Sequence, residues 1–402
     1  MIRALRSLPR VVWLLGAISL FNDAASDMIY PLVPLYLTAV LMAGPRALGL
    51  IEGVAEAASS LLKLFAGVLA DRTRSVRGWV IGGYAMTGFA RPLIGLAGSW
   101  LGVFACRLAD RAGKGLRSAP RDAMLSLSIR PEQRGLAFGF HRAMDNAGAV
   151  IGPLIAAGLL ALGLSLREVF FWSVVPAVVV LGLTLVLKEP ASEIALPRLP
   201  QRWTFAGLPP AFRRYLIALG LFTLGNSSNM FLLLRAQSLG AGAERIVLMW
   251  VVFSAMAMLL STPLSALSDR IGRFRVLGAA WGAYAAAYLA IGLLPAADWA
   301  LWLAFAAYGA VTAALEGTEK ALVADLVEGS RSGTAFGWYN LVAGFMLLPA
   351  SLIFGWLWQA LAPLAAFAFG AGCAGLATLL LVFWVRAAPD DRAAPDDRTA
   401  AV

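Results

Sequence analysis

GVLADR (Gly67–Arg72) recurs about 198 residues later as SALSDR (Ser265–Arg270), and GLAFG (Gly135–Gly139) recurs at the same spacing as GTAFG (Gly333–Gly337). Two independent matches at one offset mark an internal duplication, which is worth establishing before any other clue to fold. Around these motifs the chain alternates apolar stretches with short polar ones. The apolar stretches run over 11–37, 47–70, 78–97, 100–121, 135–163, 167–187, 213–235, 244–268, 276–295, 299–326, 334–358 and 364–385. Each is long enough to cross a bilayer, which takes about 20 residues of helix. The longest polar connection, 188–212, divides the twelve into six and six. The pattern predicts an all-α membrane protein with twelve transmembrane helices. Six-helix bundles fall at 1–187 and 213–386, joined by a cytoplasmic linker over 188–212. A disordered cytoplasmic tail follows at 387–402, where AAPDDR repeats in tandem. Halves related by a pseudo-two-fold axis place a binding site at the membrane midplane, between them.

Composition agrees: 60% of residues are hydrophobic and 14% charged, which excludes a soluble globular domain. The net charge of +10 reads as topology, not as affinity for nucleic acid. Arg3, Arg6, Arg10, Arg72, Arg74, Arg77, Arg198, Arg202, Arg213, Arg214, Arg270, Arg273 and Arg275 all fall on the side of the N-terminus. Basic residues favour the cytoplasmic side, so both termini are expected there, in a multi-pass protein of the inner (plasma) membrane. The basic start, MIRALRSLPR, has no small-residue cleavage site after its apolar run and is read as part of a retained first span. Cys106 and Cys373 lie inside apolar stretches, and His141 is the single histidine. No metal site or cofactor is expected. The sequence contains no GxxxxGK[ST] loop, so direct ATP hydrolysis is not expected.

Charges inside the apolar stretches are the functional signal. Asp23 and Asp27 share one face of the first stretch. A charge at the bilayer centre costs about 2.5–3.5 kcal/mol on insertion scales, so the pair should face a polar interior. In the fourth stretch Arg107, Asp110, Arg111 and Lys114 form one stripe, which Arg117 and Arg121 extend. Glu52, Glu56 and Lys63 share a face of the second, Arg91 precedes Pro92 in the third, and Arg142 and Asp145 lie one turn apart in the fifth. The second half has neutral counterparts: Asn226 and Asn229 are expected to stripe the seventh helix, and Tyr308, Thr312, Glu316, Glu319 and Lys320 the tenth. Gly113, Gly115 and Pro120 leave two readings for the fourth helix near the cytoplasm: a break there, or a continuous basic helix end whose side chains reach the interface. A proton-coupled carrier needs a carboxylate whose proton affinity changes with its surroundings, and an aspartate pair with a movable arginine supplies that.

The chain resembles the major facilitator superfamily over nearly its whole length. The resemblance rests on Gly67, Asp71, Arg72, Arg74 and Arg77, repeated as Asp269, Arg270, Gly272, Arg273 and Arg275 with Ser265 in place of the first glycine. It implies a conformational latch formed by Gly67, Asp71, Arg72, Asp269, Arg270 and Arg273. Gly148, Gly152 and Pro153 resemble the antiporter motif of proton-coupled exporters, although Ala156 and Ala157 stand where a glycine pair is usual. Arg107 resembles the family's fourth-helix arginine, with Asp110 and Arg111 replacing the usual Gln and Gly. In this family the first and fourth helices line the cavity, which implies facing pairs Asp27–Arg107 and Asp23–Arg111. Phrases such as FNDAASDMIYPLVPLYL and GKGLRSAPRDAM (Gly113–Met124) mark a subset of the family.

The resemblance implies a monomeric secondary transporter, in contact with membrane lipids, that exports a small organic molecule in exchange for protons by alternating access. Asp23, Asp27 and Arg107 would couple the proton. Asp110, Arg111, Lys114, Arg142, Asp145, Lys63, Asn226, Asn229, Tyr308 and Glu316 would line the substrate cavity. An alternative substrate is a charged polar solute: an organic anion, a siderophore-like molecule or a phosphorylated metabolite. Lipid handling is a third reading. A receptor would leave the duplication unexplained, and no catalytic cluster points to an enzyme.

Overall fold

Proline, glycine and small polar residues cut the apolar runs into helices. The computed structural model describes residues 8–73, 76–128, 134–188, 205, 208–295, 298–327 and 332–385. Most of the expected linker and all of the expected tail lie outside them. Every regular element among the described residues is helical. In chain order these are α1 (Arg10–Ile29), α2 (Leu32–Leu35), α3 (Pro45–Thr73), α4 (Val76–Leu93), α5 (Trp100–Leu127), α6 (Arg134–Ala161), α7 (Leu166–Trp172) and α8 (Val174–Val186). Then follow α9 (Pro210–Gly225), α10 (Met230–Ser238), α11 (Ala243–Ile271), α12 (Arg273–Leu293), α13 (Asp298–Leu326), α14 (Ser332–Ala360) and α15 (Pro363–Leu380).

Helix starts follow local chemistry. Ser99 accepts from the Gly102 N–H at the head of α5. Ser165 and Glu168 form a reciprocal capping box at α7, and Pro210 and Pro363 occupy first-turn positions. Gly272, at φ +100°, joins α11 to α12 in a conformation that side chains rarely adopt.

Eight helices among the described residues are long and apolar enough to cross a membrane, the first of them beginning at Phe140. This is an integral membrane protein. Earlier in the chain α1, α3, α4 and α5 are of spanning length, but polar and charged side chains lower their hydropathy. The intramembrane charge is therefore concentrated in the first half.

Two expectations about helix continuity need correction, and an open one is decided. The first apolar stretch is two pieces: α1 ends at Ile29, the chain turns at Tyr30 and Pro31, and α2 leads into a π-helical turn, Tyr36–Val40. Proline at that point cannot donate the next helical bond. The seventh stretch is also broken. Asn226 and Asn229 do not stripe a helix; they flank the gap between α9 and α10, where the run Asn-Ser-Ser-Asn competes for backbone bonds. The fourth helix, by contrast, runs unbroken through Gly113, Gly115 and Pro120. Its glycines serve close packing instead: a Cβ at Gly113 would stand 2.7 Å from the Gly83 carbonyl oxygen, and one at Gly115 2.7 Å from that of Ser59.

The principal packing partners are α1 with α6, α3 with α5 and α14, α4 with α5, α11 with α6 and α13, and α12 with α13 and α15. The α3–α14 and α6–α11 contacts join helices from the two halves of the chain. Gly49 lies directly under the Ser351 carbonyl, so α3 and α14 meet backbone to backbone.

Candidate functional site

Two carboxylates four residues apart on α3 meet two arginines four residues apart on α5. Arg107 donates to Glu52 Oε1 through Nη2 at 2.7 Å and Nε at 2.9 Å, and Arg111 Nε lies 2.9 Å from Glu56 Oε1. The network continues sideways. Arg107 Nη1 lies 3.3 Å from Asp110 Oδ2, while Asp110 Oδ1 accepts from Arg91 Nε at 2.8 Å. Arg91 Nη1 in turn donates to the Asn22 carbonyl at 2.9 Å. Glu52, Arg91, Arg107 and Asp110 are all buried, at 3% exposure or less. Charges this deep are tolerable only when each is paired and hydrogen-bonded, and here each one is.

This arrangement corrects the expected Asp27–Arg107 and Asp23–Arg111 pairs. Helix α5 lies along α3 and barely touches α1, so its arginines are taken by Glu52 and Glu56. Asp27 instead accepts from the indole N–H of Trp250, on α11, at 3.4 Å. The Trp250 ring lies 5.0 Å from that of Tyr30, and the Arg107 guanidinium sits over the Tyr30 ring, 5.8 Å from its centroid. Asp23 accepts from Asn22 Nδ2 at 2.8 Å. One turn before Asp23, Ser19 donates to Asp145, whose other oxygen lies 3.5 Å from His141 Nδ1. Ser19, Asp23 and Asp27 thus form a polar stripe along α1. Gly148 and Gly152 bring α6 against it: Gly148 abuts the Leu20 carbonyl and the Asp23 Cβ, and Gly152 the Ala24 carbonyl. Pro153 lies within the unbroken α6.

The gap between α9 and α10 faces this seam. Asn226, Ser227 and Asn229 bond the hydroxyls of Tyr284, Tyr288 and Tyr308 at 3.1, 3.2 and 2.9 Å. Ser228 reaches the other way and donates to Glu52 Oε2 at 3.3 Å. Glu52 therefore holds Arg107 with one oxygen and a residue of the second half with the other. Ser228 was not singled out from the sequence, and Glu52 was read there only as a charge inside the second apolar stretch. The sequence signals for them were the spacing of Glu52 and Glu56, which repeats that of Arg107 and Arg111, and the polar run that follows Gly225.

The remaining site expectations scatter. Lys114 is half-buried on the α5 stripe, Lys63 is exposed on α3, and Arg142 is exposed on α6. Arg235 donates to the carbonyls of Ile291, Gly292 and Leu294 at the end of α12. Glu319 accepts from Trp281 and Tyr339. Glu316 lies on α13, but its side chain is outside the described residues, as are those of Asp71, Arg72 and Asp269 in the expected latch, and the surroundings of Gly67 are outside them too. Of that latch, Arg270 is exposed, and Arg273 bonds Asp325 at 2.7 Å and Ser268 at 3.0 Å.

The sequence matches the family model described as Major Facilitator Superfamily over residues 15–234 and 215–401. It is 34% identical, over 94% of its length and 96% of the relative's, to an uncharacterised transporter of this type from Methanocaldococcus jannaschii. A shorter match, 31% identical over 33% of each chain, is to a multidrug resistance protein, MdtH, of Salmonella newport. Among solved structures, the nucleoside transporter NupG superposes with a TM-score of 0.78 at 13% identity, covering 92% of this chain and 99% of that one. A peptide-transporter-family (POT) protein bound to 5-aminolevulinic acid gives 0.78 at 12% identity, over 94% and 96%. The architecture is thus a transporter architecture, and the chain belongs to the major facilitator superfamily.

Proposed function

We propose that this chain is a secondary active transporter that exports a small organic molecule in exchange for protons, by alternating access. Twelve spans form two six-helix halves, 1–187 and 213–386, with the linker 188–212, the tail 387–402 and both termini in the cytoplasm. It works as a monomer in the inner membrane, and the proton gradient is its energy source. The observation that carries this reading is that Asp27 and Glu52, two titratable groups of the first half, each contact the second half, through Trp250 and Ser228. Both contacts sit beside interrupted helices at corresponding positions of the duplication, where carriers of repeated architecture bind their substrates. The partial match to MdtH supports export.

In this mechanism a proton from outside neutralises Asp27 and weakens its bond to Trp250, which loosens one tie between the halves. A hydrogen bond to a charged acceptor is worth about 1.5–3 kcal/mol, and 1.4 kcal/mol is a tenfold shift between two states. Release of that proton inside restores the tie. Asp23, Ser19, Asp145 and His141 continue the polar stripe along α1 toward the N-terminal side. Latch residues Asp71, Arg72, Asp269 and Arg270 would hold the opposite state. The test is proton release from proteoliposomes carrying a trapped pH dye when candidate organic substrates are added. Substrate-dependent proton movement that Asp27→Asn abolishes is expected; the same signal from Asp27→Asn as from wild type overturns the assignment of Asp27.

A further inference from the structure

The seam between α3 and α5 is a ladder of acid–base rungs that stops one rung short. Glu52 pairs with Arg107, and one turn toward the ends of both helices Glu56 pairs with Arg111. At the next turn α5 still supplies a cation, Lys114, but α3 supplies Ser59 and Ser60 instead of an acid. Both serines are committed to packing, Ser59 against Gly115 and Ser60 against Gly344. One turn further α3 adds a second cation, Lys63. Among the described residues neither lysine's ammonium group has an ion-pair or hydrogen-bond partner. They are close enough to repel each other, and Arg111 repels both; Glu56, already held by Arg111, attracts both, and Asp23 attracts Lys114.

Position makes this surplus expensive. Lys63 lies ten residues before the end of α3 at Thr73 and Lys114 thirteen before the end of α5 at Leu127, about 15 and 20 Å at helical rise. Both lie inside the expected apolar stretches, 47–70 and 100–121, where an ammonium group that neither an acid nor water meets is costly. Lys63 is exposed yet shares the face of Glu52 and Glu56, so its exposure is toward the seam and not toward lipid. A further sign of missing negative charge is Arg117, one turn beyond Lys114. It is 3% exposed, stacks over Tyr84 at 4.3 Å, and leaves Nε and Nη1 without hydrogen-bond partners.

We propose that Lys63 and Lys114 bind the acid group of the transported molecule, a small organic anion bearing a carboxylate or phosphonate that completes the ladder's missing rung. This rests on the reading of the chain as a transporter and names its substrate class. The aromatic wall of Trp250, Phe253 and Tyr308 faces the rest of the substrate.

Benzoate, benzamide and benzamidine share a ring and differ in charge, so they separate the possibilities. Thermal unfolding of the purified full chain in uncharged detergent, at matched ionic strength, is followed with each. Benzoate is expected to raise the Tm and the other two are not. The shift is lost in Lys114→Gln, reduced in Lys63→Gln and retained in Lys114→Arg. Without ligand, Lys114→Gln unfolds at a higher temperature than wild type, because it removes a cation repelled by Arg111 and Lys63. Should Lys114→Gln fail to fold, the exposed Lys63→Gln carries the same test. An equal or larger shift with benzamide or benzamidine, no shift with any of the three, or an undiminished benzoate shift in both glutamine variants overturns the proposal. So does a lysine-dependent shift seen only with phosphatidylglycerol, which assigns the site to a lipid headgroup. Counterflow of the same three compounds separates this inference from the reading beneath it. Flux of the amide or amidine without benzoate sinks the anion site and leaves the transporter; a benzoate shift with no counterflow of any compound does the reverse.

Discussion

Arg107 is among the largest fully buried side chains of the protein, and its removal separates two views of a buried charge network. Arg107→Ala leaves the carboxylates of Glu52 and Asp110 short of a partner, which is expected to cost about 3–5 kcal/mol. In the double variant Arg107→Met with Glu52→Met, neither member of the main pair is orphaned, and Asp110 keeps Arg91 at 2.8 Å. The double variant should therefore unfold at a higher temperature than Arg107→Ala in detergent; a lower Tm would mean that the arginine's packing outweighs its charge. Asp27 calls for a different readout. Asp27→Asn keeps an oxygen for the Trp250 N–H but cannot titrate. Counterflow, which needs no gradient, should persist near the wild-type rate, while accumulation driven by a pH gradient disappears. Loss of both would point to a structural role for the contact.

At the scale of elements, close backbone approach between helices is what positions the aspartates. Gly152 lies against the Ala24 carbonyl and the Met28 N–H, so Gly152→Val must push α6 off α1. Overpacking of this kind costs about 1–3 kcal/mol, and transport should fall with it; unchanged activity would show that the α1–α6 distance is not critical. The same contacts explain what could be read in advance. Helix existence was legible from apolar length and charge placement, since each run of about 20 apolar residues has few alternatives in a bilayer. The charged residues of the site were legible too, because their cost demands a reason. Their partners were not. Arg107 meeting Glu52 instead of Asp27 depends on which helix lies beside α5, and that is decided by glycines such as Gly115 against Ser59, a long-range fit with no periodic signature. The gap at Asn226–Asn229 was in view as a polar run after Gly225. Read by spacing alone it resembles a helical stripe, and only its capping chemistry distinguishes the two.

For the molecule as a whole, alternating access requires that contacts between the halves at one end break while those at the other form. At the end of the first span remote from Arg10, Thr38 donates to Gln237 Oε1 at 2.8 Å, joining the π-helical turn after α2 to α10. Nearby, Gln359 Oε1 accepts from the Arg46 N–H at 3.4 Å, and Gly355 packs on the Pro45 carbonyl. These contacts close that end of the seam between the halves, while Lys63 and Lys320 are exposed toward the other. The state is thus sealed on the side opposite the N-terminus, which is the outer side if the arginine bias sets the topology. A cycle that delivers substrate outward must part Thr38 from Gln237. With Cys106 and Cys373 first replaced by serine, Thr38→Cys and Gln237→Cys can be joined by a short reducible linker. The linked protein should retain binding from the inner side, because that end stays open, and lose counterflow; reduction should restore it. Undiminished flux through the linked protein would mean that this seal stays shut during transport and that the halves move about some other contact.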